Sequence, residues 1–277
     1  SKKAHEGQIR LSGEPYFNHL VETAKGIARL GLGPLTIAAG LLHDTIEDVG
    51  VTRETIEKEF GKEILFLVEG VTKLGHLKYH GVERHSESLR KLLVATSKDV
   101  RVLIIKLMDR LHNMRTLSSV PEEKRKRIAL ETLDIYAAIA HRLGMGAIRR
   151  ELEDLAFMYA HPEEYEKTKK LLTERAQGLT SHLDKMERTL KKELGVIGVV
   201  KFQMDHRTKG VYSLYKKLER KGGDIEKIYD ISALRIIVPT IADCYKVLGA
   251  VHKLWRPLPN KIKDYTALPK PNGYRSI

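Results

Sequence analysis

The 277-residue sequence has one cysteine, Cys244, so no disulfide within the chain can brace the fold. Such sparse thiol usage suits a reducing compartment. Aromatic side chains make up only 6% of the chain, which leaves little for a platform that stacks single-stranded bases. Long hydrophobic runs are missing, and the longest, around Ile37 to Leu42, is far too short to cross a bilayer. Ser1-Lys2-Lys3 is followed by no apolar stretch of the kind a signal peptide carries. These absences speak against a disulfide scaffold and a membrane span, and the expectation is a cytoplasmic protein. Charge is what abounds. With 31% charged and 42% hydrophobic residues the composition is that of a globular chain rather than a disordered one. The net charge of +13 favours polyanionic partners: nucleic acid, phosphate-rich nucleotides or an anionic surface.

The length suits two domains. Leu20, Val21, Ala24, Ile27 and Ala28 recur at helical spacing, with Gly31 and Gly33 as a stop and Pro34 opening a second helix. Thr52-x-x-Thr55 starts a segment that puts Ile56, Phe60, Ile64, Leu67 and Val68 on one face. A further helix is marked by Leu103, Leu107, Leu111 and Met114, and another runs from Pro121-Glu122-Glu123 through Ile135 to Leu143. After His161-Pro162 the pattern from Tyr165 to Leu194 is charged and helical, ended by Gly195. Two β-branched runs, 196–202 and 234–238, then read as strands, with helices over Val211 to Arg220 and Ile241 to Leu254. The expected fold is mostly α. An all-helical domain at 1–160 is followed by connecting helices at 161–195 and by the beginning of an α/β domain at 196–277.

One stretch stands out: Leu41-Leu42-His43-Asp44-Thr45-Ile46-Glu47-Asp48 runs from apolar residues into a histidine and three carboxylates. Neutral imidazole and carboxylate together are common ligands for divalent transition ions. Two ligands are too few. His19 stands at the edge of another apolar helical face, and so does Asp109, with Asn113 one turn further on. Each of these residues alone reads more simply as a partly buried histidine or a surface ion pair; together they point to a metal site. His76, His80 and His85 form a second histidine cluster, but Gly75 and Gly81 interrupt it, and a loop is the better reading.

The words around these residues carry a resemblance. Ala4-His5-Glu6-Gly7-Gln8-Ile9-Arg10, Ser12-Gly13-Glu14-Pro15-Tyr16, and the stretch from Lys106-Leu107-Met108-Asp109 to Asn113-Met114-Arg115-Thr116-Leu117 resemble the RelA/SpoT family of bifunctional (p)ppGpp synthetase/hydrolases. So do Arg142-Leu143-Gly144-Met145, Glu151 to Phe157, Tyr229 to Val238 and Lys263 to Tyr274. The likeness implies an HD-type hydrolase with Mn2+ held by His19, His43, Asp44 and Asp109. Glu47, Asp48 and Asn113 would be its catalytic groups, and Arg10, Ser12, Asn113 and Thr116 would bind the nucleotide. The implied reaction removes pyrophosphate from the 3′ position of (p)ppGpp and leaves GDP or GTP. Where the family carries a basic residue, this chain has Leu11, which bears on guanine selectivity.

For residues 196–277 the resemblance implies the first part of a Mg2+-dependent synthetase that moves pyrophosphate from ATP to GDP or GTP. Its matching positions are Arg207, Lys209, Lys217, Asp230, Arg235, Lys270, Asn272 and Tyr274. The family's second catalytic carboxylate lies beyond Ile277, so no synthesis is expected of the chain as it stands. Association with the ribosome or RNA is implied for the full-length protein, and no membrane. Two rival readings stay open: an HD phosphohydrolase acting on another nucleotide, and a basic fragment that binds RNA or an alarmone without turnover.

Overall fold

The computed structural model describes residues 1–75, 99–270 and 273–277. His76, His80 and His85, and Asn272, lie outside the described residues. The chain divides into two compact units. One comprises Ser1–His141 and Met145–Ala160, the other Arg142–Gly144 and His161–Ile277. Among the described residues no helix is long and apolar enough to cross a membrane.

The first unit is helical throughout: α1 (Tyr16–Arg29), α2 (Pro34–Leu42), α3 (Thr45–Val49), α4 (Arg53–Phe60), α5 (Lys62–Gly75), α6 (Val100–Arg115), α7 (Glu122–Glu131), α8 (Ala137–Arg142) and α9 (Gly146–Ala160). Its centre is α1, which packs on α2 and α6; α2 and α6 also pack on α5. Leu20, Ile27, Leu67, Ile105, Leu107, Met114, Leu152 and Phe157 are fully enclosed. Two glycines set how closely the helices meet. A Cβ on Gly40 of α2 would lie 2.4 Å from Ile27 Cδ1 on α1, and one on Gly26 of α1 would lie 2.9 Å from Met108 Sδ on α6. A side chain at either position would have to displace the end of Ile27 or Met108, so glycine lets these helices pack without moving them. Ahead of α1 the chain turns tightly on itself. Arg10 N–H donates to Glu14 O at 2.9 Å, and Gly13 takes the left-handed φ of 83° that closes the turn.

The second unit is built on the long helix α10 (Pro162–Val196), followed by β1 (Gln203–Thr208), α11 (Val211–Arg220), β2 (Ser232–Ile237) and α12 (Ile241–Leu254). The two strands pair antiparallel, with Asp205 opposite Arg235 and Arg207 opposite Ala233. Leu190, Leu194, Val199, Val247 and Ala250 form one core, against which Phe202, Met204, Ile236 and Trp255 pack. A second core gathers Leu214, Leu218, Ile228 and Ile231 around Leu171 and Leu172.

Three sequence expectations are corrected. The strand expected at 196–202 is a connection instead. The helix α10 continues through Gly195 to Val196, and the chain reverses at Gly198, whose φ is 74°. Val199 N–H donates to Leu194 O at 2.9 Å, so the β-branched run caps a helix and fills the core beneath it. The first strand lies later, on Gln203–Thr208, where the sequence is mostly polar, and β2 spans 232–237 rather than 234–238. The single segment expected from Thr52 to Val68 breaks at Gly61, with φ of 86°, and leaves Phe60 41% exposed while Ile56, Ile64, Leu67 and Val68 are buried. The helix expected from Pro121 to Leu143 is interrupted by a π-helical turn at Thr132–Tyr136.

Replacing the enclosed Leu20 with alanine should destabilise the helical unit by ~2–5 kcal/mol. Leu11→Ala, at a position 73% exposed, should change stability by less than ~0.5 kcal/mol. Urea titrations followed by far-UV circular dichroism compare the two.

Candidate metal centre and nucleotide cavity

The candidate ligands come from three places in the helical unit. His19 lies one turn into α1, and Asp109 is on the buried side of α6. His43 and Asp44 occupy the joint between α2 and α3, where α2 has ended at Leu42 and α3 begins at Thr45. The joint turns both side chains inward. His19 Nε2 lies 3.5 Å from Asp44 Oδ2 and 3.4 Å from Asp109 Oδ1; His43 Nε2 lies 3.1 Å from Asp44 Oδ2 and 3.9 Å from Asp109 Oδ1. His19, His43 and Asp109 offer ligand atoms that all fall within 4.8 Å of one another.

The fit of a divalent cation can be judged from His43. Its Nδ1 donates to Gly40 O at 2.8 Å, which leaves Nε2 as the lone-pair nitrogen of the neutral ring. That Nε2 is buried and has no hydrogen-bond partner, although Asp44 Oδ2 is close. A buried polar atom without a partner is costly, and a cation among two imidazoles and two carboxylates would satisfy it. His19, His43 and Asp109 therefore fit a divalent ion, with Asp44 close to both imidazoles.

The metal-free charges are strongly shifted. Burial works against the protonated His43 ring, but the Asp44 and Asp109 carboxylates outweigh it and push the ring up to about 10. Burial likewise opposes ionised Asp44, and the charge on His43 overrides it, holding the carboxyl well below its usual range. Asp109 is also held well below its usual value, against its burial, chiefly by Lys106, whose Nζ donates to Asp109 Oδ2 at 2.7 Å. The Lys106 ammonium is in turn held above its ordinary value by Asp109 despite its own burial. The Tyr16 hydroxyl donates to Asp44 Oδ2 at 2.9 Å. Burial, then Asp44 and Asp48, keep that phenol protonated.

The other hydrolase candidates fall into two groups. Glu47 and Asp48 are exposed on α3. Asp48 faces the Tyr16 hydroxyl, whereas no contact joins Glu47 to the ligand cluster among the described residues. Arg10, Ser12, Asn113 and Thr116 line one cavity of about 430 Å³, together with Leu11, Tyr16, Lys106, Asp109 and Arg110. Its floor thus reaches a candidate ligand. Asn113 Nδ2 donates to Asp109 Oδ1, and Asn113 Oδ1 accepts from Arg10. Ser12 Oγ is enclosed without a partner. Thr116 sits just past the end of α6, and Leu11 projects to solvent at the rim.

Sequence reasoning missed Tyr16, Lys106, Arg110 and His112 as members of this site. Lys106 and His112 each stand three residues from Asp109, a spacing that puts them on its side of the helix, and that was the available signal. His112 Nδ1 lies 2.8 Å from His19 Nδ1 and 2.9 Å from Arg10 Nη1. Burial, with His19 and Arg10 beside it, lowers His112 to about 4.

In the second unit, Lys209 and Lys217 both donate to Asp230 Oδ2, the former at 2.9 Å. Burial, with Lys217 alongside, holds the Lys209 ammonium below its ordinary value despite the attraction of Asp230. Arg235 meets Asp205 on the opposite strand through two hydrogen bonds of 3.1 and 2.6 Å. Arg207 is exposed on β1. The Lys270 ammonium lies over the Tyr265 ring at 4.5 Å and the Tyr274 ring at 5.2 Å.

Comparison with known proteins gives two family matches: "HD domain" over residues 1–146 and "Region found in RelA / SpoT proteins" over residues 206–277. The chain is 47% identical over its whole length to a guanosine-3′,5′-bis(diphosphate) 3′-pyrophosphohydrolase of Aquifex aeolicus, covering 40% of that protein. It is 44% identical, again over its whole length, to a GTP pyrophosphokinase of Myxococcus xanthus, covering 37% of it. The chain therefore spans about two fifths of the length of these relatives. A solved structure, described as a metazoan ortholog of SpoT that hydrolyzes ppGpp, aligns at 22% identity with a TM-score of 0.36, covering 56% of this chain and 80% of that one.

The charge pattern predicts a pH profile for the chelator-treated chain. Asp44 and Asp109, with lowered values, contribute stability that is present above about pH 4 and is lost as pH falls further. His43, raised from 6.5 to about 10, contributes stability that is full below 6.5 and lost as pH rises through 10. Thermal unfolding should peak between these limits, and His43→Asn should flatten the alkaline decline.

Proposed function

The chain belongs to the HD-domain family, in its RelA/SpoT branch, and from that premise we propose that residues 1–160 form a manganese-dependent hydrolase that removes pyrophosphate from the 3′ position of (p)ppGpp. The observation that carries the reading is that two imidazole nitrogens and the Asp44 carboxylate gather around Asp109, which also lines a cavity with Arg10, Lys106 and Arg110. A site that binds a polyphosphate needs this combination of cations and a cation-binding floor.

His19, His43, Asp44 and Asp109 are the proposed ligands. A divalent ion, when bound, supplies a water of lowered pKa and offsets charge on the phosphoryl oxygens. The remaining roles belong to side chains. Arg10 offers its guanidinium fork to a phosphate. Ser12 Oγ, enclosed without a partner, and Thr116 offer hydroxyls to the nucleotide. Asn113 holds Asp109 and Arg10 in one register. Asp48 or Glu47, exposed at the start of α3, takes the proton of the attacking water. The new bond joins water oxygen to the phosphorus on the 3′ oxygen. The bond from that phosphorus to the 3′ oxygen breaks, and the proton taken from water is returned to that oxygen, leaving GDP or GTP with a 3′ hydroxyl and free pyrophosphate. Tyr16, kept protonated, donates to Asp44 Oδ2 and so restrains the orientation of that carboxylate.

Residues 161–195, which the single helix α10 spans where several helices were expected, are proposed as the connection, and 196–277 as part of a synthetase domain. There Lys209, Lys217 and Asp230 form one charged group at the phosphate-donor side, Mg2+ would be taken at Asp230, and Arg207 and Arg235 would contact ATP. Lys270, Asn272 and Tyr274 would receive GDP or GTP, with Tyr274 stacking on the base. A cytoplasmic location and association with RNA or the ribosome belong to the same reading, the latter supported by the net charge of +13 and measurable as a steep salt dependence of binding.

Purified chain with manganese should release pyrophosphate from ppGpp, and Asp44→Ala should reduce release to background. Release of triphosphate from dGTP in preference to pyrophosphate from ppGpp would overturn the substrate assignment in favour of another nucleotide. Absence of manganese-stimulated hydrolysis of either substrate would overturn the enzyme reading.

A further inference from the structure

His112 is not among the proposed ligands, yet its imidazole sits between a ligand and the nucleotide-binding arginine. One nitrogen, Nδ1, faces both His19 Nδ1 at 2.8 Å and Arg10 Nη1 at 2.9 Å. The ring is buried. The hydrogen positions follow from chemistry. A guanidinium can only donate, so His112 Nδ1 must accept, and its ring proton sits on Nε2. Two bare nitrogens 2.8 Å apart would repel, so His19 Nδ1 must carry a proton, and it shares the single lone pair of His112 Nδ1 with the Arg10 guanidinium. In the neutral His19 ring this leaves the lone pair on Nε2. That atom lies 3.5 Å from Asp44 Oδ2 and 3.4 Å from Asp109 Oδ1.

We infer that His112 is a positioning residue that selects the His19 tautomer and so aims the His19 Nε2 lone pair at the cation. The inference rests on the proposed metal-dependent hydrolase. His43 reaches the same end by a different route, through the backbone carbonyl of Gly40. The His19 arrangement is unlike it because the acceptor is itself oriented by Arg10. Arg10 also binds Asn113, which donates to Asp109. One guanidinium therefore reaches two of the four ligands, each through a single intervening side chain, and His112 is the link to His19.

The test uses two variants of the whole chain. In His112→Asn the amide oxygen occupies nearly the place of Nδ1 and can accept from both neighbours. In His112→Gln the amide group lies further out, near the position of Nε2. Folding of each is checked by circular dichroism. Manganese affinity is read by calorimetry, and the His19 tautomer by 15N-imidazole NMR of the chelator-treated protein at mildly alkaline pH. His112→Gln should weaken manganese binding by about 10–100-fold, and His112→Asn should stay within about threefold of the unaltered chain. The His19 proton should lie on Nδ1 in the unaltered chain and in His112→Asn, and should be redistributed in His112→Gln. Unchanged affinity in His112→Gln, or an equal loss in both variants, overturns the inference. Should the unaltered chain bind no manganese, the hydrolase reading falls, and the NMR comparison alone decides the role of His112: the same His19 tautomer in all three proteins overturns it, and a change confined to His112→Gln supports it.

Discussion

The helical unit is organised around one buried carboxylate. Asp109 is enclosed on α6, and an ionised carboxyl there would be prohibitive without compensation. Compensation comes from three directions: the Lys106 ammonium behind it, the Asn113 amide beside it, and the His19 and His43 rings in front. Each partner is itself fixed by something else. Lys106 is partly buried beside Asp109, Asn113 is tied to Arg10, and His43 is anchored on Gly40. A charge that could not be left bare is met by a connected set of polar groups in the interior. Networks of this kind are worth more than their separate pairs and fail together when one member is removed.

Such a set can exist only if the helices carrying it come very close. Gly40 and Gly26 permit this. At both positions a methyl group would press on the end of Ile27 or Met108, so these glycines leave room for the side chains that pack α1 against α2 and α6. Small residues at the crossings bring His19, His43 and Asp109 into reach of one another. α2 ends at Leu42 and α3 begins at Thr45, and His43 and Asp44 occupy the joint between them.

Much of the helical unit was legible because its apolar residues recur at 3.6-residue spacing: Leu20, Ala24 and Ile27, or Leu103, Leu107, Leu111 and Met114, are all buried as that period requires. The candidate ligands were legible for a related reason. They are polar residues standing at the edges of faces that are otherwise apolar. Lys106, Tyr16 and His112 were harder, since lysine, tyrosine and histidine near a helix end have many ordinary uses, and only the tertiary contacts separate one use from another. The misplaced strand has a specific cause. Residues 196–202 have strong β propensity, but Val199 is needed in the core under α10, and Gly198 provides the turn that takes it there. Propensity yielded to burial. The polar strand Gln203–Thr208 gave no alternation to read, because it is held chiefly by pairing with β2.

The placement of the single tryptophan has an optical consequence. Trp255 packs in the core formed by Leu190, Val199 and Val247, within the second unit, while the helical unit contains tyrosines and phenylalanines but no indole. Red-edge-excited emission therefore reports the surroundings of one unit alone and is silent about the other. The chain carries a built-in spectroscopic label by which melting of its two halves can be told apart without any dye or added probe.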